Sequence, residues 1–161
     1  MTALAMSTGL EKPYEGAFVG DAHHFAVRVY IEDTDLGGVV YHANYVRFLE
    51  RARSDLLRVI GIDQRAAIEK GEGVYAVAEL RIKYVKPAKL DDDLIIISRL
   101  EDIHGACCVI SQQILRGQEP ICKATVTVAF LGPQGRPKRQ PSEWLERFER
   151  IKAGPANSPK S

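Results

Sequence analysis

The reactive chemistry of this sequence concentrates in residues 32–44, Glu32-Asp-Thr-Asp-Leu-Gly-Gly-Val-Val-Tyr-His-Ala-Asn44. Three carboxylates (Glu32, Asp33 and Asp35) stand beside Gly37, Gly38 and His42. A carboxylate so placed can take a proton from water, or attack an electrophilic carbonyl itself. The segment leads into a helical pattern. A helix start offers unpaired N–H groups and the positive end of the helix dipole, and such a place can hold an oxyanion as it develops. The same composition also suits a plain loop, because Asp and Gly favour turns and Asp favours helix starts.

Other chemistries fit less well. Asp33, Asp35 and Gly38 match positions one, three and six of an EF-hand loop, but Gly37 stands at position five and Asn44 at position twelve, so two ligands are missing. The histidines are His23, His24, His42 and His104; the first two are adjacent, which is poor geometry for one ion. No metal site is expected. No G-x-S-x-G elbow is present for a serine nucleophile. The three cysteines, Cys107, Cys108 and Cys122, form no CxxC spacing and lie in apolar strand-like segments, so they read as buried free thiols.

The elements that hold this loop are legible. Phe25, Val27, Val29 and Ile31 alternate with Ala26, Arg28 and Tyr30, the two-residue period of a half-buried strand. After the loop, Tyr45, Phe48, Leu49, Ala52, Leu56, Val59 and Ile60 fall within an arc of about 120° at about 100° per residue. Gly61 is placed to end that helix in a left-handed cap. Asn44 is one option for its N-cap; the other has residues 41–43 already in the first turn. A shorter helix is predicted near 64–70. Four strand-like segments follow. Leu80, Ile82 and Tyr84 alternate with charged residues, and residues 94–97 form an apolar run expected in a central strand covered on both faces. Residues 106–116 are mixed, and Cys122, Ala124, Val126, Val128 and Phe130 form one face. Residues 141–152 read as an amphipathic helix with Trp144, Leu145 and Phe148 on one side. The expected fold is α+β: an antiparallel sheet of about five strands wrapped around one long helix. Residues 1–22 are expected to be a loose tail, 23–135 the domain, and 136–161 a C-terminal helix and tail.

Composition narrows the function classes. The 161 residues carry 22 Lys+Arg against 21 Asp+Glu, a net charge of +1, which argues against a nucleic-acid partner. The N-terminus lacks the basic and apolar regions of a signal peptide, and no apolar run reaches the roughly 20 residues of a membrane span. The expected location is cytoplasmic, without integral membrane association.

The string Val27-Arg-Val-Tyr-Ile-Glu-Asp-Thr-Asp-Leu-Gly-Gly-Val-Val-Tyr-His-Ala-Asn-Tyr45, followed by Phe48-Leu-Glu-Arg-Ala-Arg53, resembles the signature of the hot-dog-fold acyl-CoA thioesterases. It is similar to the 4-hydroxybenzoyl-CoA thioesterase family, nearest to its Tol–Pal-system-associated branch. The Tyr84-x-x-Pro-Ala-x-Leu-Asp-Asp92 stretch fits the same branch. The resemblance spans about residues 25–131. It implies hydrolysis of an acyl-CoA without a cofactor, in a homodimer or homotetramer whose sheets join edge to edge and whose sites lie at the interface.

By the same resemblance Asp35 is the catalytic acid, as nucleophile or as general base. His42 supplies a backbone N–H to the thioester carbonyl, and its ring is a further candidate. Tyr41, Gly38 and Asn44 complete the motif as substrate-binding residues, and Glu50 is a second acid on the helix. Coenzyme A carries phosphates, for which Arg81, Lys83, Lys86 and Lys89, or Arg136, Lys138 and Arg139, are candidates. Two alternatives share these motifs: hydrolysis of an acyl-carrier-protein thioester, and a non-catalytic acyl-thioester-binding scaffold at the cell envelope.

Overall fold

Strand alternation decides which residues face the long helix, and the computed structural model, which describes residues 8–154, follows it closely. Six strands form one antiparallel sheet: β1 (Ala17–Val19), β2 (Ala22–Arg28), β3 (Val74–Tyr84), β4 (Asp93–Ile103), β5 (Cys107–Arg116) and β6 (Glu119–Leu131). Their order across the sheet is β1-β2-β4-β5-β6-β3. The helices are α1 (His42–Val59), α2 (Gln64–Glu69) and α3 (Ser142–Ala153). The architecture is α+β, with the sheet curled about α1.

Helix α1 buries Tyr45, Phe48, Leu49, Ala52 and Leu56. The first four pack with Phe25, Leu94, Ile96, Ile114, Ile121 and Ala124 of the sheet. Each such side chain contributes about 1.5–3 kcal/mol when fully buried, so this stripe fixes the helix on the sheet. Gly61, at φ +84°, follows the C-cap Ile60 and ends α1 in the left-handed region, as its position predicts. Val59, at the edge of the predicted arc, is exposed. A second cluster gathers Leu100, Ile110, Val126, Val128 and Phe130 beneath Trp144 and Phe148 of α3. The sheet bends through register shifts at Val77/Glu79, Leu100/Asp102 and Ile114/Leu115. Such bulges increase local twist and curl a sheet toward its helix.

Three expectations change. The sheet has six strands, not about five, because β1 lies inside the stretch expected to be a loose tail. There Ala17–Val19 pairs with β2, and the Gly16 N–H donates to Asp55 Oδ2 at 2.9 Å. Contacts made far along the chain order this segment, and local periodicity is blind to them; residues 1–7 and 155–161 of the two expected tails lie outside the described residues. Strand β3 begins at Val74, five residues before its clear alternation, since the bulge at Val77/Glu79 interrupts the two-residue period. In β4 the inner positions Leu94 and Ile96 are buried against α1, but Ile95 and Ile97 on the outer face are only half-buried.

One polar pair sits inside the first layer. His23 is fully buried, and its Nε2 lies 2.7 Å from Asp55 Oδ2, which also accepts from Gly16. Nδ1 of His23 is buried and meets no partner among the described residues. The pair ties β2 and the N-terminal strand to α1.

Candidate active site

The loop between β2 and α1 folds back on the start of the helix. A single 3-10 turn, Ile31–Asp33, opens it. The Asp33 carboxylate accepts from the Tyr30 N–H at 2.8 Å. The Asp33 carbonyl accepts from the Tyr41 N–H at 2.9 Å and from Asn44 Nδ2 at 2.9 Å. Asp33 is therefore committed to structure. Asn44 holds the loop against the helix and is not the N-cap; that position belongs to Tyr41, so residues 42 and 43 already stand in the first turn.

Asp35 heads a tight turn. Its N–H donates to the Val39 carbonyl, the Gly38 N–H donates to the Asp35 carbonyl, and Thr34 bridges to Val40. The Gly37 N–H donates to Asp35 Oδ1 at 2.8 Å, and a Cβ at Gly37 would lie only 3.1 Å from that oxygen. Gly38 has φ +79°, which disfavours any side chain there. The glycines thus let the backbone close under a carboxylate that itself remains exposed, with its second oxygen, Oδ2, pointing to no donor among the described residues.

His42 is the first residue of α1, and its N–H and that of Ala43 meet no acceptor among the described residues. The His42 ring lies 4.6 Å from Tyr41 and 6.3 Å, edge-on, from Tyr84. The Tyr84 hydroxyl donates to the His42 carbonyl at 2.9 Å. Tyr45, buried behind them, accepts from the Ala88 N–H at 3.0 Å, while the Ala88 carbonyl accepts from the Val40 N–H. Burial pushes the Tyr45 phenol upward, keeping it protonated. The helix start is thus fixed from three sides, and N–H groups without an acceptor among the described residues share one segment with the exposed Asp35 carboxylate. Such a set can polarise a carbonyl and supply a nucleophile or base.

The motif residues Asp35, Gly38, Tyr41, His42 and Asn44 come together; the cationic candidates do not all join them. Arg81 and Lys83 alternate with Leu80, Ile82 and Tyr84 and so face the outer side of the sheet. There Arg81 pairs with Glu79 at 2.7 Å and Lys83 stands opposite Lys123. Lys86 lies on the loop after β3, 3.7 Å from Glu119. Lys89 shares that loop and bridges to Val39 beside Asp35. Glu50 is exposed two turns down α1. Tyr84 and Tyr45 were not expected as supports of the site; the Tyr84-x-x-Pro stretch carried the signal for the first, and nothing local marks the second. Cys108 and Cys122 are buried, and burial raises their thiols to about 11 and about 12, so neither is a nucleophile at neutral pH.

A model of the thioesterase-like superfamily matches residues 29–149, which include this whole loop. The chain belongs to that superfamily. It is 41% identical over 130 residues to the acyl-CoA thioesterase YbgC of Haemophilus influenzae, covering 80% of this chain and 95% of that one. The crystal structure of a probable thioesterase from Bartonella henselae superposes with a TM-score of 0.71 at 36% identity, covering 74% of this chain and 99% of the other. A mutant 4-hydroxybenzoyl CoA thioesterase complexed with 4-hydroxybenzoyl CoA superposes with a TM-score of 0.72, over 80% and 99% of the two chains. At 19% identity that likeness speaks for the fold alone. The fold of this superfamily member is the hot-dog fold. None of its helices among the described residues is long and apolar enough to cross a membrane.

Proposed function

We propose that this thioesterase-superfamily member hydrolyses acyl-CoA thioesters, with Asp35 as the catalytic acid and the His42 N–H as the oxyanion donor. One observation carries the reading: an exposed carboxylate and a helix-start N–H without an acceptor among the described residues are held close in sequence by one network of backbone bonds, within residues matched to the superfamily. The substrate carbonyl oxygen takes the N–H, and the acyl carbon faces Asp35. In one route the carboxylate attacks that carbon, the CoA thiolate leaves, and water cleaves the resulting mixed anhydride. In the other, Asp35 takes a proton from water whose oxygen attacks that carbon, and the tetrahedral intermediate collapses with departure of the CoA thiolate. One preorganised donor stabilises the transition state by about 2.7–4 kcal/mol. Tyr41, Gly38 and Asn44 shape the turn and helix start, and no cofactor takes part.

The pantetheine and nucleotide then leave the site past the loop bearing Lys86 and Lys89, which supply charge to phosphate. Arg81 and Lys83 reach the nucleotide only from the outer sheet face, and we assign them the lesser share. A second copy completes the site. Among the described residues β3 pairs with β6 alone, leaving an open edge eleven residues long. Leu36, Tyr41, Tyr84 and Val85 around the site are exposed apolar or aromatic side chains. Edge pairing of two sheets satisfies the β3 backbone and covers such a surface. The reading places this enzyme in the cytoplasm, where acyl-CoA is made.

A panel of acyl-CoAs and one acyl-carrier-protein thioester, with thiol detection, tests the activity. Free CoA is expected from at least one acyl-CoA, and Asp35→Asn is expected to lower that rate by about 10²-fold or more, the floor for a positioned base. Wild-type turnover in Asp35→Asn removes the assignment. Single turnover in oxygen-18 water tests the nucleophilic route: label in the Asp35 carboxylate, from water attacking the aspartyl carbon of the anhydride, is a result the general-base route cannot give.

A further inference from the structure

A partly open cavity of about 90 Å³ lies between α1, the sheet and Phe148 of α3, and its lining includes no residue of the Asp35 loop. Its walls are apolar: Leu57, Leu100, Ile110, Val128 and Phe148. Its mouth is polar, formed by Glu50, Arg53 and Ser54 of α1. Arg53 is held there by its Nη1, which donates to Gln112 Oε1 at 3.0 Å. An apolar lining of this kind favours an apolar guest, whose burial contributes about 0.8 kcal/mol per methylene. Helix α3 contributes Phe148 to the lining. Trp144 packs at a tilt on Tyr75 and edge-on against Phe130, which anchors that helix on the sheet.

The cavity mouth and the His42 N–H belong to the same helix. At about 1.5 Å per residue, Glu50 lies about 12 Å along α1 from His42. In β3 the partly buried Leu80 packs against both core clusters and Ile82 against the first, so the apolar lining continues from one cluster to the other. An extended chain gains about 1.2 Å per bond, taken from about 3.5 Å per three-bond residue, so about ten bonds span the distance. We propose that this cavity receives the far end of a linear acyl tail of about ten or more carbons, and that Phe148 sets how long a tail it accepts. The proposal rests on the reading of the Asp35 site given above, since it places the thioester at the His42 N–H.

The test compares kcat/KM for dodecanoyl-CoA and acetyl-CoA in the full chain, alongside calorimetric binding of decanoate. Ser54→Phe, at an exposed helix position, plugs the mouth. Each methylene shut out lowers the dodecanoyl/acetyl ratio about fourfold, so two lower it about fifteenfold. Phe148→Ala is expected to raise the ratio of hexadecanoyl-CoA to dodecanoyl-CoA by a similar factor. Arg150→Ala, on the outer face of α3, is expected to leave both ratios alone. If Phe148→Ala does not fold, Ser54→Phe decides. An active enzyme whose dodecanoyl/acetyl ratio ignores Ser54→Phe overturns the cavity proposal and leaves the thioesterase reading intact. If no thioester is cleaved, the thioesterase reading fails, and decanoate decides for the cavity: weaker binding in Ser54→Phe supports it, and unchanged or absent binding overturns it.

Discussion

Replacing His42 by proline isolates one N–H. His42 is the first helical residue of α1, after the N-cap Tyr41. Proline suits that position: its fixed φ is helical and the amide it lacks has no intrahelical partner. The residue before proline is pushed to extended backbone, and Tyr41 already stands at φ −62°, ψ 132°. The His42 carbonyl, which receives the Tyr84 hydroxyl, is kept. The substitution therefore deletes the proposed oxyanion donor and the imidazole while leaving the loop and the helix in place. His42→Ala deletes the imidazole alone. Loss of one oxyanion donor corresponds to about 2.7–4 kcal/mol, or about 10²–10³ in kcat. The expectation is that His42→Pro falls by that factor relative to His42→Ala, at an unchanged urea midpoint. The assay is steady-state CoA release at saturating substrate. If His42→Pro and His42→Ala turn over equally, the His42 N–H is not the donor, and the reasoning from the helix start fails with it.

Further outcomes follow from the packing. Burial lowers the pKa of His23 below its usual 6.5, partly offset by its bond to Asp55, so the unfolded chain binds the extra proton between the folded pKa and 6.5. Stability is then full above about pH 6.5 and falls as pH drops through that window, by up to about 1.4 kcal/mol per unit; urea titrations at fixed protein concentration should show this slope in wild type and not in His23→Gln, which keeps a donor toward Asp55, and equal slopes would remove His23 as the cause. Gly38→Ala forces a side chain into φ +79° and should destabilise by about 1 kcal/mol, read as a lower thermal midpoint. In the native protein a thiol reagent should reach Cys107 at most, with Cys108 and Cys122 reacting only on unfolding; rapid titration of all three would contradict their burial.

How much of this was legible in the sequence depends on the range of the interactions involved. The α1 stripe was, because Tyr45, Phe48, Leu49, Ala52 and Leu56 repeat at the helical period and the sheet supplies a large apolar surface to receive them. The Asp35 turn was, because its geometry rests on neighbours: Gly37 donates to the carboxylate and Gly38 takes the positive φ. The His23–Asp55 pair was not, since its members stand 32 residues apart and Asp55 reads as one more polar residue on a helix. Strand β1 escaped for the same reason, being ordered through Gly16 and Asp55, 39 residues away.

The cationic candidates make the point most sharply. Arg81 and Lys83 share a parity in β3, opposite to that of Leu80, Ile82 and Tyr84. Parity alone says that the two sets face opposite ways, but not which way the active site lies. The contact of the Tyr84 hydroxyl with the His42 carbonyl supplies that sign. Once Tyr84 is known to touch the helix start, the two-residue period sends Lys83 and Arg81 to the outer face. Lys86 and Lys89, beyond the end of the strand, escape that constraint, and the bridge from Lys89 to Val39 brings their loop back to Asp35. A single contact spanning 42 residues thus separates the phosphate candidates into two groups. Charge reversal at Lys86 or Lys89 is accordingly expected to raise KM for the CoA thioester more than reversal at Lys83, and the opposite ranking would place the nucleotide on the outer sheet.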